Sequence, residues 1–157
     1  MRPWIVAAIV AASLPITAQA QQKPLKDQLV GNWDVLTVNE DYGNSKVERA
    51  PFGANLKGVY NFEPNGRVTL ILIGDDLPSK PMKAQESARL VVAWFGKYTV
   101  EGDTLTVVAD RATIPAFDGL ARKTAVKVNG DDATVTAAPV NGPQGTFTPI
   151  LSLKRAH

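Results

Sequence analysis

Residues 29–38 read LVGNWDVLTV, and Gly31-Asn32-Trp33 stands at the head of the first stretch with strand character, 31–40. Trp33, Val35, Thr37 and Val38 give that stretch its strand character. A tryptophan is large and has to fill something large. What Trp33 fills is the question that the rest of the chain answers.

Working forward, residues 41–45 (DYGNS) are turn chemistry and Pro51-Phe52-Gly53 marks a second irregular segment. A second strand is predicted over 56–63, with Leu56, Tyr60 and Phe62 on one face and Lys57, Val59 and Asn61 on the other. Pro64-Asn65-Gly66 is a tight turn into a third strand, 67–73, so these two strands form a hairpin. Residues 74–81 read as a loop. Residues 82–92 are the one helical candidate, with Ala84, Ala88, Val91 and Val92 at helical spacing and Lys83, Glu86 and Arg89 elsewhere. That helix is expected to lie across an end or flank of the domain.

Strand character returns at 94–101, turns at Gly102-Asp103, and continues over 104–109. Residues 114–119 are irregular. Residues 120–129 then alternate: Leu120, Arg122, Thr124, Val126 and Val128 share a face that should be the inner one, and Lys123 and Lys127 mark the other as wet. Asn129-Gly130-Asp131 makes a third hairpin turn into 133–138, and a Pro-Gly loop at 139–145 precedes a last strand, 147–154. Eight short strands joined largely by hairpins, with one inserted helix, predict an all-β fold. A meander of that length leaves two long open edges unless it closes, so an antiparallel up-and-down barrel is favoured over a sandwich.

Working back, residues 1–20 have the character of a cleaved export signal. Arg2 lies in a short basic start, an apolar stretch follows over 4–16, and Ala18-Gln19-Ala20 supplies the small-x-small cleavage pattern. The apolar stretch falls short of the ~20 residues that span a bilayer, and no later run approaches that length. The mature chain is expected to start at Gln21, with a polar, flexible lead-in over 21–28 and one domain over 29–155. Its predicted location is periplasmic or secreted. Loss of residues 1–20 leaves 137 of the 157 residues, enough for a single core. With no cysteine that core has no disulfide to assist it. Without Arg2 the basic residues number 16 against 15 acidic ones, a balance that argues against a nucleic-acid partner.

Gly31-Asn32-Trp33, Pro51-Phe52-Gly53, Gly58-x-Tyr60, Pro64-Asn65-Gly66 and Trp94-Phe95-Gly96-Lys97-Tyr98, in that order and spacing, resemble the bacterial and fungal lipocalin-like domain family. The resemblance covers about residues 29–155. It implies a closed or nearly closed antiparallel barrel of about eight strands with a cavity. It also implies that Trp33 plugs one barrel end, with a basic residue near the last strand, Lys154 or Arg155, lying over the indole. A cation over an indole face contributes about 0.5–1 kcal/mol when exposed and about 2 kcal/mol when desolvated.

Candidates for chemistry are few. His157 is the only histidine and is the last residue, which, with no cysteine, excludes Ser-His and Cys-His nucleophile systems and zinc sites built on histidine or thiolate. Asp75-Asp76 and Asp131-Asp132 read as solvated turns, so no metal and no cofactor are expected. Arg122 is more informative, because an inward guanidinium must be paired or reach solvent. It either sits at the barrel rim or against a carboxylate such as Asp110, or it meets an anionic head group on a ligand. Tyr60, Phe62, Trp94 and Tyr98 face inward as core or as ligand contacts. Inward side chains of an eight-stranded barrel either fill it or leave room for one small ligand.

Three functions are compatible with these features. The leading one is binding of a small apolar or amphipathic molecule, anionic in one version, within the barrel. The others are a cavity-based cyclase or isomerase using a Tyr, Asp or Glu as general acid or base, and a filled barrel serving as an interaction module of the envelope. The oligomeric state is not legible.

Overall fold

The computed structural model describes residues 23–44, 46–49, 52–53, 55–75, 91–142 and 144–157. The predicted export signal and residues 82–90 of the predicted helix lie outside that set. Within it the chain forms one short helix, α1 (Leu25–Leu29), and ten strands: β1 (Gly31–Asp41), β2 (Val47–Arg49), β3 (Lys57–Phe62), β4 (Arg67–Ile73), β5 (Val91–Glu101), β6 (Thr104–Ala112), β7 (Ala121–Asn129), β8 (Asp132–Thr136), β9 (Val140–Gly142) and β10 (Gly145–Arg155). A 3₁₀ turn at Pro115–Phe117 interrupts the β6–β7 connection.

Eight of the strands close an antiparallel barrel in the order β1-β3-β4-β5-β6-β7-β8-β10, and β10 returns to pair with β1. Closure satisfies both edges of the meander, which is why sequential hairpins alone suffice to build it. β2 and β9 are additions: each extends a hairpin from β1 or β10 beyond the barrel wall. β9 falls in the segment that reads as a Pro-Gly loop, and β2 lies between the turn at 41–45 and the irregular 51–53, because three-residue strands carry no periodicity to detect.

Two register shifts bend the wall. One lies between Val35 and Thr37 in β1, where Leu36 turns outward. The other lies at Phe95/Gly96 in β5, opposite Asp110 in β6. Such bulges add local twist and let a sheet curl tightly enough to close.

Two expectations need correction here. Val91 and Val92 belong to β5, not to a helix, and they extend the ladder with Ile73 and Leu72 of β4. The lead-in is not structureless: α1 puts Leu29 fully out of solvent and Leu25 against the core, so the helix covers one barrel end. Leu25 and Leu29 lie one turn apart on the same helix face, which is enough to anchor so short an element.

The strands run between two different ends. At the closed end lie α1, the start of β1, the β3–β4 turn and the end of β10. At the mouth lie the end of β1 with β2, the start of β5, the β6–β7 connection and the start of β10 with β9.

Candidate functional site

The closed end is held by one tryptophan and the groups around it. Trp33 has no solvent exposure, and its Nε1–H donates to the Leu29 carbonyl at 2.8 Å, tying β1 back onto α1. The Arg155 guanidinium lies over the indole, 4.2 Å from its ring centroid. It also donates to the Gln28 carbonyl at 2.6 Å and the Val30 carbonyl at 3.1 Å, and its Nε stands 3.6 Å from an Asp131 carboxylate oxygen. Lys154, the other basic candidate, points elsewhere and pairs with Asp132 at 3.1 Å. Above this plug Phe62 and Tyr98 meet edge to face, 5.3 Å apart, and the Tyr98 hydroxyl donates to the Glu63 carbonyl at 2.9 Å.

Toward the mouth the described residues leave a cavity of about 160 Å³. Of the residues singled out from sequence, Tyr60, Trp94 and Arg122 line it; Phe62 and Tyr98 do not, because they sit lower on the same inner faces. Tyr60 stacks on Phe62 at 4.4 Å and meets Trp94 edge to face at 5.6 Å, so one aromatic column runs from the plug to the cavity floor. Leu70, Leu72, Val107, Val135 and Leu151 supply aliphatic wall.

Arg122 is the charged group of that wall on β7. Its neighbours on the expected inner face divide: Thr124 and Val126 are buried, but Leu120 precedes the strand and is more than half exposed. Asp110 is not its partner, for that carboxylate accepts from Arg67 at 2.8 Å. Instead the guanidinium lies 3.9 Å from the centroid of the Phe117 ring and makes one long hydrogen bond, 3.4 Å, to the Ala138 carbonyl. Burial pushes its pKa down, and the nearby Tyr60 phenol acts against that shift. Burial pushes the Tyr60 phenol well above its ordinary range, with Arg122 opposing. The pair therefore stands as a neutral hydroxyl beside a cation.

Sequence reasoning missed the mouth. Phe117 comes from the irregular segment before β7 and is held by Asp118, whose carboxylate accepts from the Ala112 N–H at 2.7 Å and from Arg111 at 3.0 Å. Phe52 comes from the Pro-Phe-Gly segment. Its carbonyl accepts from the Asp75 N–H at 2.9 Å while Asp75 accepts from the Asn55 N–H at 2.7 Å, so Asp75 orders the loop. Glu40, at the end of β1, also lines the cavity. It accepts a 2.6 Å hydrogen bond from Tyr42, which pushes the Tyr42 pKa up to about 12. Phe52 had its place in the Pro51-Phe52-Gly53 motif, which gave no sign that its ring faces the cavity; Phe117 and Glu40 had only aromatic or acidic character near a strand, which is too common to single them out.

Among the described residues no three His, Asp or Glu side chains converge as metal ligands, and no helix is long and apolar enough to cross a membrane. No family model matches the sequence, and no curated protein does either. Solved structures similar to this chain include a lipocalin-like protein from Bacteroides uniformis ATCC 8492, with a TM-score of 0.48 and 13% identity over 82% of this chain and 99% of that one. They also include an uncharacterised protein from Bacteroides eggerthii DSM 20697, with a TM-score of 0.44 and 13% identity over the same shares. The closed ladder of hydrogen-bonded strands carries the barrel assignment by itself.

Proposed function

We propose that this chain is an exported binding protein that holds a small apolar or amphipathic molecule in the mouth-end cavity of its barrel. The carrying observation is the contrast between the two halves of the interior. The closed half is filled by Trp33, Phe62 and Tyr98, whereas the described residues of the mouth half leave a void walled by aliphatic and aromatic side chains with Arg122 set into it. A fully packed scaffold would not keep such a space, because interiors are close-packed and a void forfeits contact energy. An apolar cavity with a few fixed polar groups is the usual form of a small-molecule site.

The test is native mass spectrometry of the full chain purified from its own host. A retained small molecule is expected, and Val107→Phe, which pushes a ring into the cavity, should eliminate it while leaving the thermal transition cooperative. Retention undiminished by Val107→Phe would place the molecule elsewhere. Export is tested on the same material: intact mass should correspond to a chain starting at Gln21, and a mass that includes residues 1–20 would remove that part of the reading.

A further inference from the structure

We infer that the cavity takes a small carboxylate whose apolar body is the size of one aromatic ring, with Arg122 and Tyr60 together receiving the carboxylate. This rests on the reading of the cavity as a ligand site and adds the chemical class of the ligand.

The first support is how the other arginines with described side chains are paired. Arg67 holds Asp110, Arg111 holds Asp118 and Arg155 holds Asp131. Among the described residues Arg122 alone of these four has no carboxylate within ion-pair distance, although it is half-buried in the wall of an apolar cavity. A charge in such a place is costly unless it is paired. Phe117 covers one face of the guanidinium and Ala138 takes a single N–H at long range, so most of its N–H fork is left for the cavity.

Tyr60 is the second support. It is 3% exposed as a residue and lines the same cavity. Because burial holds the phenol protonated, it stands as a donor. A guanidinium fork from β7 and a hydroxyl donor from β3, on opposite sides of the barrel, face the same cavity and together can receive the two acceptor oxygens of a carboxylate. Glu40 stands at the mouth with its carboxylate engaged by Tyr42. It opposes an anion at the rim, and so favours the orientation in which the ligand's carboxylate lies against Arg122.

The third support is size. An engineered apolar cavity of about 150 Å³ holds benzene, and the cavity here is about 160 Å³. Trp94, Phe52 and Phe117 add aromatic faces to it. A ring fits inside it, whereas a long acyl chain does not.

The experiment is calorimetric titration of the full chain with benzoate, benzamide, benzyl alcohol and hexadecanoate. Benzoate should bind at least tenfold more tightly than its uncharged isostere benzamide and more tightly than hexadecanoate. Arg122→Gln should weaken benzoate by about ten- to a hundredfold and Tyr60→Phe by about three- to tenfold, with benzamide little changed by either. Arg122→Lys, which keeps the charge and loses the fork, should fall between wild type and Arg122→Gln. Tyr60→Phe keeps the ring against Phe62 and Trp94, so it remains informative if an Arg122 variant fails to fold. Equal affinity for benzoate and benzamide, or a benzoate affinity indifferent to Tyr60→Phe and Arg122→Gln, overturns the carboxylate assignment and leaves the cavity as a binding site. Tighter binding of hexadecanoate overturns the size assignment. Binding of none of the four, benzyl alcohol included, removes the binding reading and this inference with it.

Discussion

Trp33→Ala is expected to lower the unfolding free energy by about 3–5 kcal/mol, the range for truncating a fully buried tryptophan. Nothing nearby can collapse into the space easily. The indole is fixed on one side by the α1 backbone through the Leu29 carbonyl and on the other by the Arg155 guanidinium. Removing it leaves that carbonyl without its donor and leaves Arg155 above a void, so a transfer loss, a cavity and a broken hydrogen bond accumulate at one place. Urea unfolding at equilibrium measures the change through its midpoint, provided the slope stays that of wild type.

Arg155→Ala should cost less, about 1–3 kcal/mol, since the guanidinium is a quarter exposed and its carbonyl acceptors can turn to water. The two residues touch, so the double variant should lose less than the two single losses together, by about 0.5–2 kcal/mol. Strict additivity would mean that the stacked geometry contributes nothing to stability. Hydrogen exchange adds a second reading: in Trp33→Ala the amides of α1 should lose protection first, because among the described residues Leu25, Leu29 and the arginine's contacts with its carbonyls are what remain to anchor α1.

The legible parts of this chain are those in which local chemistry and the barrel require the same thing. Pro64-Asn65-Gly66 forced the β3–β4 hairpin, and the alternation of Tyr60 and Phe62 against Lys57, Val59 and Asn61 set its faces. Face is what a period of two reports. Height along the barrel axis is not, because barrel strands are tilted and staggered by amounts that no single strand records. Hence Phe62 and Tyr98 shared a predicted inner face with Tyr60 and Trp94, yet the first two lie with the plug and the second two line the cavity.

Val91 and Val92 went to a helix for a related reason: a short apolar run flanked by charges fits either period, and only the pairing with β4 decides it. Leu25 and Leu29 were hidden in a polar stretch because two apolar residues are enough when a barrel end is waiting for them. Phe117 and Glu40 owe their places to a 3₁₀ turn and to the far end of an eleven-residue strand, neither of which has a periodic signature.

Gly96→Ala is expected to have an effect of the same order, a loss of about 3 kcal/mol or more, for a single added methyl group. Gly96 stands on the inner face between Trp94 and Tyr98, at the register shift where β5 passes the bulge of β6. A Cβ there would come 2.0 Å from the Val108 carbonyl oxygen and 2.8 Å from the Ala109 Cα. Both are backbone atoms of the paired strand, so no rotamer change relieves the clash; the β5–β6 ladder itself has to open. Overpacking ordinarily costs about 1–3 kcal/mol because side chains can shift, and here they cannot. Gly102→Ala is the control. Gly102 has a φ of +57° and nothing within 4 Å of its missing Cβ, so alanine there meets only the left-handed backbone preference, about 1–2 kcal/mol. A Gly96→Ala loss no larger than the Gly102→Ala loss would show that β5 and β6 do not approach so closely at the bulge. A much larger one identifies glycine in the Trp94-Phe95-Gly96-Lys97-Tyr98 motif as the residue that lets the wall bend, and therefore as the residue that positions Trp94 over the cavity.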